Sequence, residues 1–454
     1  MLTYQDLQEN QNNLTDFLRR AINVYKSDAL YITAKEAELY ARMLNPTIMT
    51  YKKILYTVTG KAVPDNYSAN HKCASNFFNR FITQENQYLL GNGVTFNDDS
   101  TKERLGGADF DIQLQKAGRK ALVGAVSYGF LNDDHIEVFG ADEFVPLWDE
   151  ETGALRSGIR FWQIDDRKPL RTTLFEEDGV TEYICRSGTW SVLQEKRPYI
   201  YVVKVSEADG ATIYDGQNYP SLPVVPLWGN PYHQSELVGI KSQIDAYDLI
   251  KSGFANDLDD VSMLYWTITN AGGMDDIDLA KFIERMRVTK AVTLDDEQKV
   301  ESHQVDIPYQ SREAYLQRLE NDLYNDAMAL NMHQLASNAT ATAIRASYEP
   351  LNNKVDQFEY CVIDFIKGLL ELLGIEDEPT FKRSMVVNQT EETQMILSAG
   401  QYLDDETILR HLPFLSLDEI DSILDNLARE DLERIETEPI IEEEQAIDES
   451  VVTD

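Results

Sequence analysis

The chain has 454 residues, of which 43% are hydrophobic, more than one ordinary core can hold, so about two to four domains are expected. Its 78 acidic and 41 basic residues give a formal charge of −37, the opposite of the footprint of a protein that grips nucleic acid, so any DNA contact should be loose or confined to a local patch. Cys73, Cys185 and Cys361 lie far apart with no paired spacing for zinc or redox work, which fits a reducing origin. The start of the chain lacks a signal peptide pattern and no apolar run is long enough to span a membrane, so neither secretion nor membrane insertion is expected.

In chain order, the first 120 or so residues read as mainly helical. Thr3 to Arg20, Thr33 to Leu44, Asn70 to Leu89 and Asp109 to Val123 carry helical patterning, while Pro46, Pro64 and the turn Leu90-Gly91-Asn92-Gly93 punctuate the gaps. From Val126 the texture changes to short β-type runs: Val126 to Leu131, Ile136 to Phe139, Gly158 to Ile164, Leu170 to Phe175, Thr181 to Cys185 and Tyr199 to Val205. Turn clusters separate them, which predicts one compact antiparallel sheet. Pro220 to Tyr232 reads as a proline-rich linker.

Three helical stripes follow. Leu237, Ile240, Ile244, Tyr247, Lys251, Phe254, Leu258, Val261 and Tyr265 repeat in a three-four rhythm, and the Lys251 stem can lie along apolar surface. Tyr315, Leu316, Leu319, Leu323, Ala327 and Leu330 make a shorter helix, so the two read as an antiparallel hairpin around an inserted block. That block reads as strand (Leu264 to Thr269), Gly272-Gly273 turn, helix (Asp276 to Arg287) and two strands (Ala291 to Leu294, Val300 to Val305). The third stripe, Ile344, Tyr348, Leu351, Val355, Phe358, Val362, Phe365, Leu369 and Leu372, predicts a long one-sided helix from Ser337 to a stop at Gly374. It would extend about 50 Å, with a bend near Ala346 imposed by Pro350. Oligomerisation should depend on these stripes, with Ile244, Tyr247, Phe254, Leu258, Phe358 and Phe365 as the packing residues. Small helices follow at Glu391 to Gly400, Asp405 to Leu412 and Leu417 to Arg429. Glu430 to Asp454, with eleven acids and one arginine, reads as a solvated, disordered tail.

No catalytic signature emerges. Ser127 in Gly124-Ala-Val-Ser-Tyr-Gly129 misses the nucleophile-elbow spacing by one residue and reads as a buried strand serine. There is no phosphate loop and no His-Glu-x-x-His pair, and the six histidines, including His71, His233 and His411, show no ligand spacing. Asp275, Asp276 and Asp278 could bind a cation, but acids before a helix are favoured by its dipole, and capping is the preferred reading. No enzyme activity, cofactor or metal is expected.

The order of parts carries more information than any motif: helices, a β-rich segment, a long helix, an αβ insertion, a return helix, a polar loop and a long kinked helix. That order resembles the portal proteins of tailed bacteriophages, in the family typical of siphophages of Gram-positive hosts. Asn76-Phe-Phe-Asn-Arg-Phe-Ile-Thr-Gln-Glu-Asn-Gln-Tyr-Leu-Leu-Gly-Asn-Gly-Val94 looks like the family's early helix and Tyr-Leu-x-Gly turn. Val225-Pro226-Leu227, Ser242 to Asp248 and Ser252 to Leu258 are similar to its approach to the stem. Thr340 to Arg345 and Leu351 to Lys354 stand where its tunnel helix begins, and Asp405-Glu-Thr407 with Leu412-Pro413 resembles its crown segment. Pro350 inside the tunnel helix and the acidic tail depart from the family pattern.

The resemblance implies an α+β, mostly helical ring subunit: wing (1–234), first stem helix (235–265), clip (266–306), second stem helix (307–332), tunnel loop and kinked tunnel helix (333–374), crown (375–429) and acidic tail (430–454). It implies a homo-oligomer, a dodecameric ring at a capsid vertex of the virion, assembled in the host cytoplasm, through which double-stranded DNA is packaged and ejected. Its partners would be terminase, a head-tail adaptor, and the scaffolding and major capsid proteins, with no membrane. His333, Gln334, Ser337, Asn338, Thr340 and Thr342 would line the channel in a loop that is uncharged unless His333 protonates. Lys281, Arg285, Arg287 and Lys290 form a local basic cluster in the clip; they read either as cations at a helix end or as a contact for an acidic or phosphate-bearing partner. The competing readings are another head-tail adaptor or minor capsid protein, and an acidic metal-dependent hydrolase whose carboxylates converge only in three dimensions.

Overall fold

The computed structural model describes residues 1–56, 60–66, 68–205, 212–261, 265–269, 281, 299–303, 309–332 and 341–384, with the single positions 398, 404, 407–409, 420, 423, 424 and 426. Met1–Gln334 and Tyr348–Ser384 make one compact unit, and Leu335–Ser347 with Met385–Asp454 make the other. In the first unit the chain runs α1 (Tyr4–Glu9), a 3-10 turn (Gln11–Asn13), α2 (Leu14–Lys26), α3 (Ala29–Ala41) and α4 (Pro46–Met49), then the ribbon β1 (Ile54–Tyr56) and β2 (Ala62–Pro64). It continues through α5 (Phe77–Leu90), β3 (Val94–Thr95), α6 (Asp99–Arg104) and α7 (Ala108–Gly124). The single helix expected from Thr3 to Arg20 is therefore two: a capping box joins Thr3 and Asp6 at the start, and Asn10, Asn12 and Asn13, poor helix formers, interrupt it. The helix expected from Asn70 begins only at Phe77.

The sheet region also differs from its expectation, because the strands predicted for one sheet are divided among three. β6 (Phe144–Trp148), β7 (Leu155–Trp162), β8 (Leu170–Glu176), β9 (Gly179–Arg186) and β10 (Thr189–Arg197) form an antiparallel meander. A separate three-stranded sheet has the order β13-β4-β5, from β4 (Val126–Asn132), β5 (His135–Gly140) and β13 (Val224–Trp228). β11 (Ile200–Val205) and β12 (Thr212–Gln217) pair only with each other. The expected proline-rich linker thus contains β13, with Pro226 opposite Tyr128. The two larger sheets meet through aromatic rings: Tyr128 lies 4.4 Å from Phe144 and Phe130 4.9 Å from Phe175, centroid to centroid. The outer side of the meander buries Val145, Leu147, Ile159, Phe161 and Leu174 against Phe17, Leu18, Ala21, Ile22 and Tyr25, all from α2.

The long helices follow: α8 (Leu237–Val261), β14 (Tyr265–Thr269), β15 (Lys299–His303), α9 (Tyr309–Asp326), α10 (Ala341–Ser347), α11 (Glu349–Leu373) and β16 (Thr380–Phe381), which pairs with β3. β14 and β15 pair antiparallel, and the helix expected at Asp276 to Arg287 lies outside the described residues except Lys281, which is helical and exposed. The predicted central helix is interrupted at Tyr348, two residues before Pro350, whose missing amide cannot serve Ala346. Gly374 ends α11 in the left-handed conformation (φ 65°), as expected of a helix-stopping glycine. The stripe is buried on schedule: Leu351, Val355, Phe358, Val362, Phe365, Leu369 and Leu372 all face the core. Gly129 in β4 makes room for it, since a Cβ there would stand 2.5 Å from the Phe365 ring.

Candidate functional site

α5, α8, α9 and α11 meet at one junction, and its chemistry begins with α8. Three buried polar residues on α8, each four apart, take amide hydrogens from alternate residues of the segment before α5. Asp248 Oδ1 accepts from the Ser75 amide (2.9 Å), Ser252 Oγ from Cys73 (2.9 Å) and Asn256 Oδ1 from His71 (2.6 Å). The Asn45 amide side chain donates to the second oxygen of Asp248. Burial raises the Asp248 carboxyl above its ordinary pKa, against the opposing pull of Asn45 and Ser75. Beyond the third contact, Asp259 meets the His71 ring at 2.5 Å.

The adjoining face of α8 packs on α9 and α5. Tyr247 lies edge-on to Phe77 at 4.9 Å, and Tyr324 of α9 edge-on to Phe81 at 5.2 Å. Arg80 donates to the Tyr324 hydroxyl (2.6 Å). Arg312 pairs with Asp257 and Gln243 with Asp326, so polar contacts tie α8 and α9 near both ends.

At the top of this hairpin Lys354 of α11 sits between two carboxylates. Its Nζ is 2.8 Å from Glu85 of α5 and 2.8 Å from Glu236, the residue before α8. Glu236 also accepts from Asn230 (2.7 Å). Burial pushes the Glu85 carboxyl up to about 7; the Lys354 charge works against that, and the Glu236 charge adds to it. For Lys354 burial acts downward, but the two glutamates outweigh it and hold the ammonium above its ordinary range. A cavity of 90 Å³ adjoins the cluster, lined in part by Glu236, Asp326, Gln234 and Lys354. The cluster can bind three elements together; it presents no nucleophile. Among the described residues no group of three or more His, Cys, Asp or Glu could hold a metal, and no helix is long and apolar enough to cross a membrane. Ser127 is fully buried and donates to the Ala117 carbonyl (2.8 Å), as its strand position predicted.

Phe358, Phe365 and Ile244 are buried within the chain itself, Tyr247 and Phe254 are half-buried, and Leu258 is 58% exposed. Of the uncharged loop, only Thr342, exposed on α10, is described; His333, Gln334, Ser337, Asn338 and Thr340 lie outside the described residues, as do Arg285, Arg287, Lys290 and the Asp275, Asp276, Asp278 group. The Lys354 cluster and the polar row on α8 are not anticipated. A signal for each exists: Lys354 is a lone cation one turn from Pro350 in an apolar stripe, and Asp248, Ser252 and Asn256 repeat at helical spacing.

Comparison with known proteins places these features in context. The family model described as phage portal protein, SPP1 Gp6-like, matches residues 18–440. The portal protein of Bacillus phage SPP1 is 22% identical over 400 residues, 80% of this chain and 77% of that protein. The portal protein of Clostridium phage phiCD119 is 28% identical over 208 residues, 43% of this chain; the match spans about half of that relative, 46% of its length. Among solved structures, a chain from the neck of an empty gene transfer agent particle computed with C6 symmetry is similar at a TM-score of 0.44 and 12% identity, covering 73% of this chain and 88% of that one. A chain from the native particle's neck computed with C12 symmetry is similar at a TM-score of 0.41 and 11% identity, covering 75% and 91%.

Proposed function

This chain belongs to the SPP1 Gp6-like family of phage portal proteins, and from that premise we propose that it assembles into a dodecameric ring at one vertex of the capsid, forming the channel for DNA packaging and ejection. The single observation that carries this reading is the extent of the family match, which runs through nearly every predicted part from residue 18 to residue 440. The family is one of structural virion proteins, so the role is mechanical.

In this reading residues 1–234 are the wing, α8 and α9 the stem, 266–306 the clip, 333–374 the tunnel loop and helix, and 375–429 the crown. The charge supports passage of double-stranded DNA: an acidic conduit repels phosphates, whereas a basic one would hold them by counterion release. His333, Gln334, Ser337, Asn338, Thr340 and Thr342 offer small polar groups for weak contact with the moving duplex. Lys281, Arg285, Arg287 and Lys290 would meet terminase or departing DNA at the clip, and a head-tail adaptor, scaffolding and major capsid proteins complete the partners.

Electron microscopy of the purified protein tests the reading. Closed rings of twelve with a central hole are expected; a protein without such rings would overturn it, and a smaller closed assembly would favour an adaptor. Reversing Lys281 and Arg285 to Glu together should leave rings intact and weaken packaging in a complementation assay.

A further inference from the structure

Gly253 stands in the middle of α8, where the described residues of its own chain give no reason for glycine. Its backbone is not left-handed, and nothing lies within 4 Å of the place a Cβ would occupy. Glycine in a helix interior is destabilising relative to alanine, so the missing side chain needs an explanation from outside the chain. Gly253 floors an open groove of 380 Å³ between α8 and α9, with Ile250 and Asp257 on one wall and Ser311, Arg312 and Tyr315 on the other. Tyr315 is 47% exposed, and Leu249, one turn before the glycine, is exposed as well.

A second patch complements it. The β1–β2 ribbon exposes all of Ile54, Leu55 and Tyr56, the last at 76%, and among the described residues pairs with no other strand. A two-stranded ribbon with no covering surface is marginal in water. Residues 51–72 carry Lys52, Lys53, Lys61 and Lys72 against Asp65 alone, whereas α8 and α9 carry nine acids and four bases. A basic apolar ribbon and an acidic apolar groove are two different surfaces, and head-to-tail contact between different surfaces closes a ring when the rotation allows.

We propose that the α8–α9 groove seats the β1–β2 ribbon of a second copy, with Tyr56 lying over Gly253. This rests on the ring assembly read above and names the contact that would close it. The groove admits the Tyr56 ring because the glycine leaves the helix backbone bare, and the ribbon gains a cover that the described residues of its own chain do not supply.

Two variants and one cross-link test it. Gly253→Leu fills the groove and favours the helix, so the thermal midpoint should hold or rise while ring formation weakens about tenfold or more in subunit concentration. Tyr56→Ser, at an exposed site, should weaken assembly with no change in midpoint. In a background with Cys73, Cys185 and Cys361 replaced by Ser, copies carrying Tyr56→Cys mixed with copies carrying Gly253→Cys should give a cross-linked pair on oxidation. Rings that form normally from both variants, with no cross-link in the mixture, would overturn the seat and leave the ring assembly standing. Wild-type protein that gives no rings overturns both.

Discussion

Lys354 faces two carboxylates from two other elements, so its removal leaves Glu85 and Glu236 opposed in a largely dry site. Lys354→Met should cost about 3–5 kcal/mol in chemical denaturation, the penalty of breaking a buried pair by deleting one partner. Glu85 adds a pH dependence. Its folded-state pKa is raised from 4.5 to about 7, so between those values the folded chain holds a proton that the unfolded chain has lost. Stability therefore falls as pH rises from about 4.5 to about 7 and levels off above. Denaturation midpoints of wild type and Glu85→Gln across that window check this: the variant should lack the fall. An equal slope in both would mean that another group titrates.

At the scale of elements, α11 is fastened by its stripe. Phe358 is 1% exposed, and Phe358→Ala should cost about 3–5 kcal/mol by loss of transfer energy and creation of a cavity. Equilibrium unfolding by urea reads this directly. The stripe is legible in the sequence because its three-four spacing persists over six turns, and the stop is legible because Gly374 has little other reason to follow Leu373. Among the strands that escape a sequence reading, β6, β10 and β13 share a physical cause: each lies at the edge of a larger sheet. Pro146 and Pro226 argue against a strand by pattern, yet an edge strand has amides that need no partner. β10, read as Thr-Trp-Ser-Val-Leu-Gln-Glu-Lys-Arg, is solvent-facing for most of its length and lacks alternation. The Lys354 cluster stays hidden for a different reason: its partners stand at positions 85 and 236, and no local spacing relates them.

For the whole molecule the dominant quantity is charge, −37 over 454 residues, and eleven of the acids fall after residue 429. Such a run of like charges offers little apolar surface for a neighbouring copy to bury, so deletion of everything after Glu430 should leave assembly unchanged. Size-exclusion chromatography with light scattering would show it; a truncated protein that no longer assembles would assign the tail a contact with a neighbouring copy.

The polar row of α8 works as a vernier. Four residues of helix advance about 6.0 Å and two residues of extended chain about 6.6 Å, so two scales of nearly equal pitch are laid side by side and drift by roughly 0.6 Å per division. Asp248, Ser252 and Asn256 read the first three marks against Ser75, Cys73 and His71. Further along the same helix the Asp259 carboxylate meets the His71 ring. Such a graduation can hold only a few marks in register, and it protects every other amide: hydrogen exchange at His71, Cys73 and Ser75 should be slower than at Lys72 and Ala74.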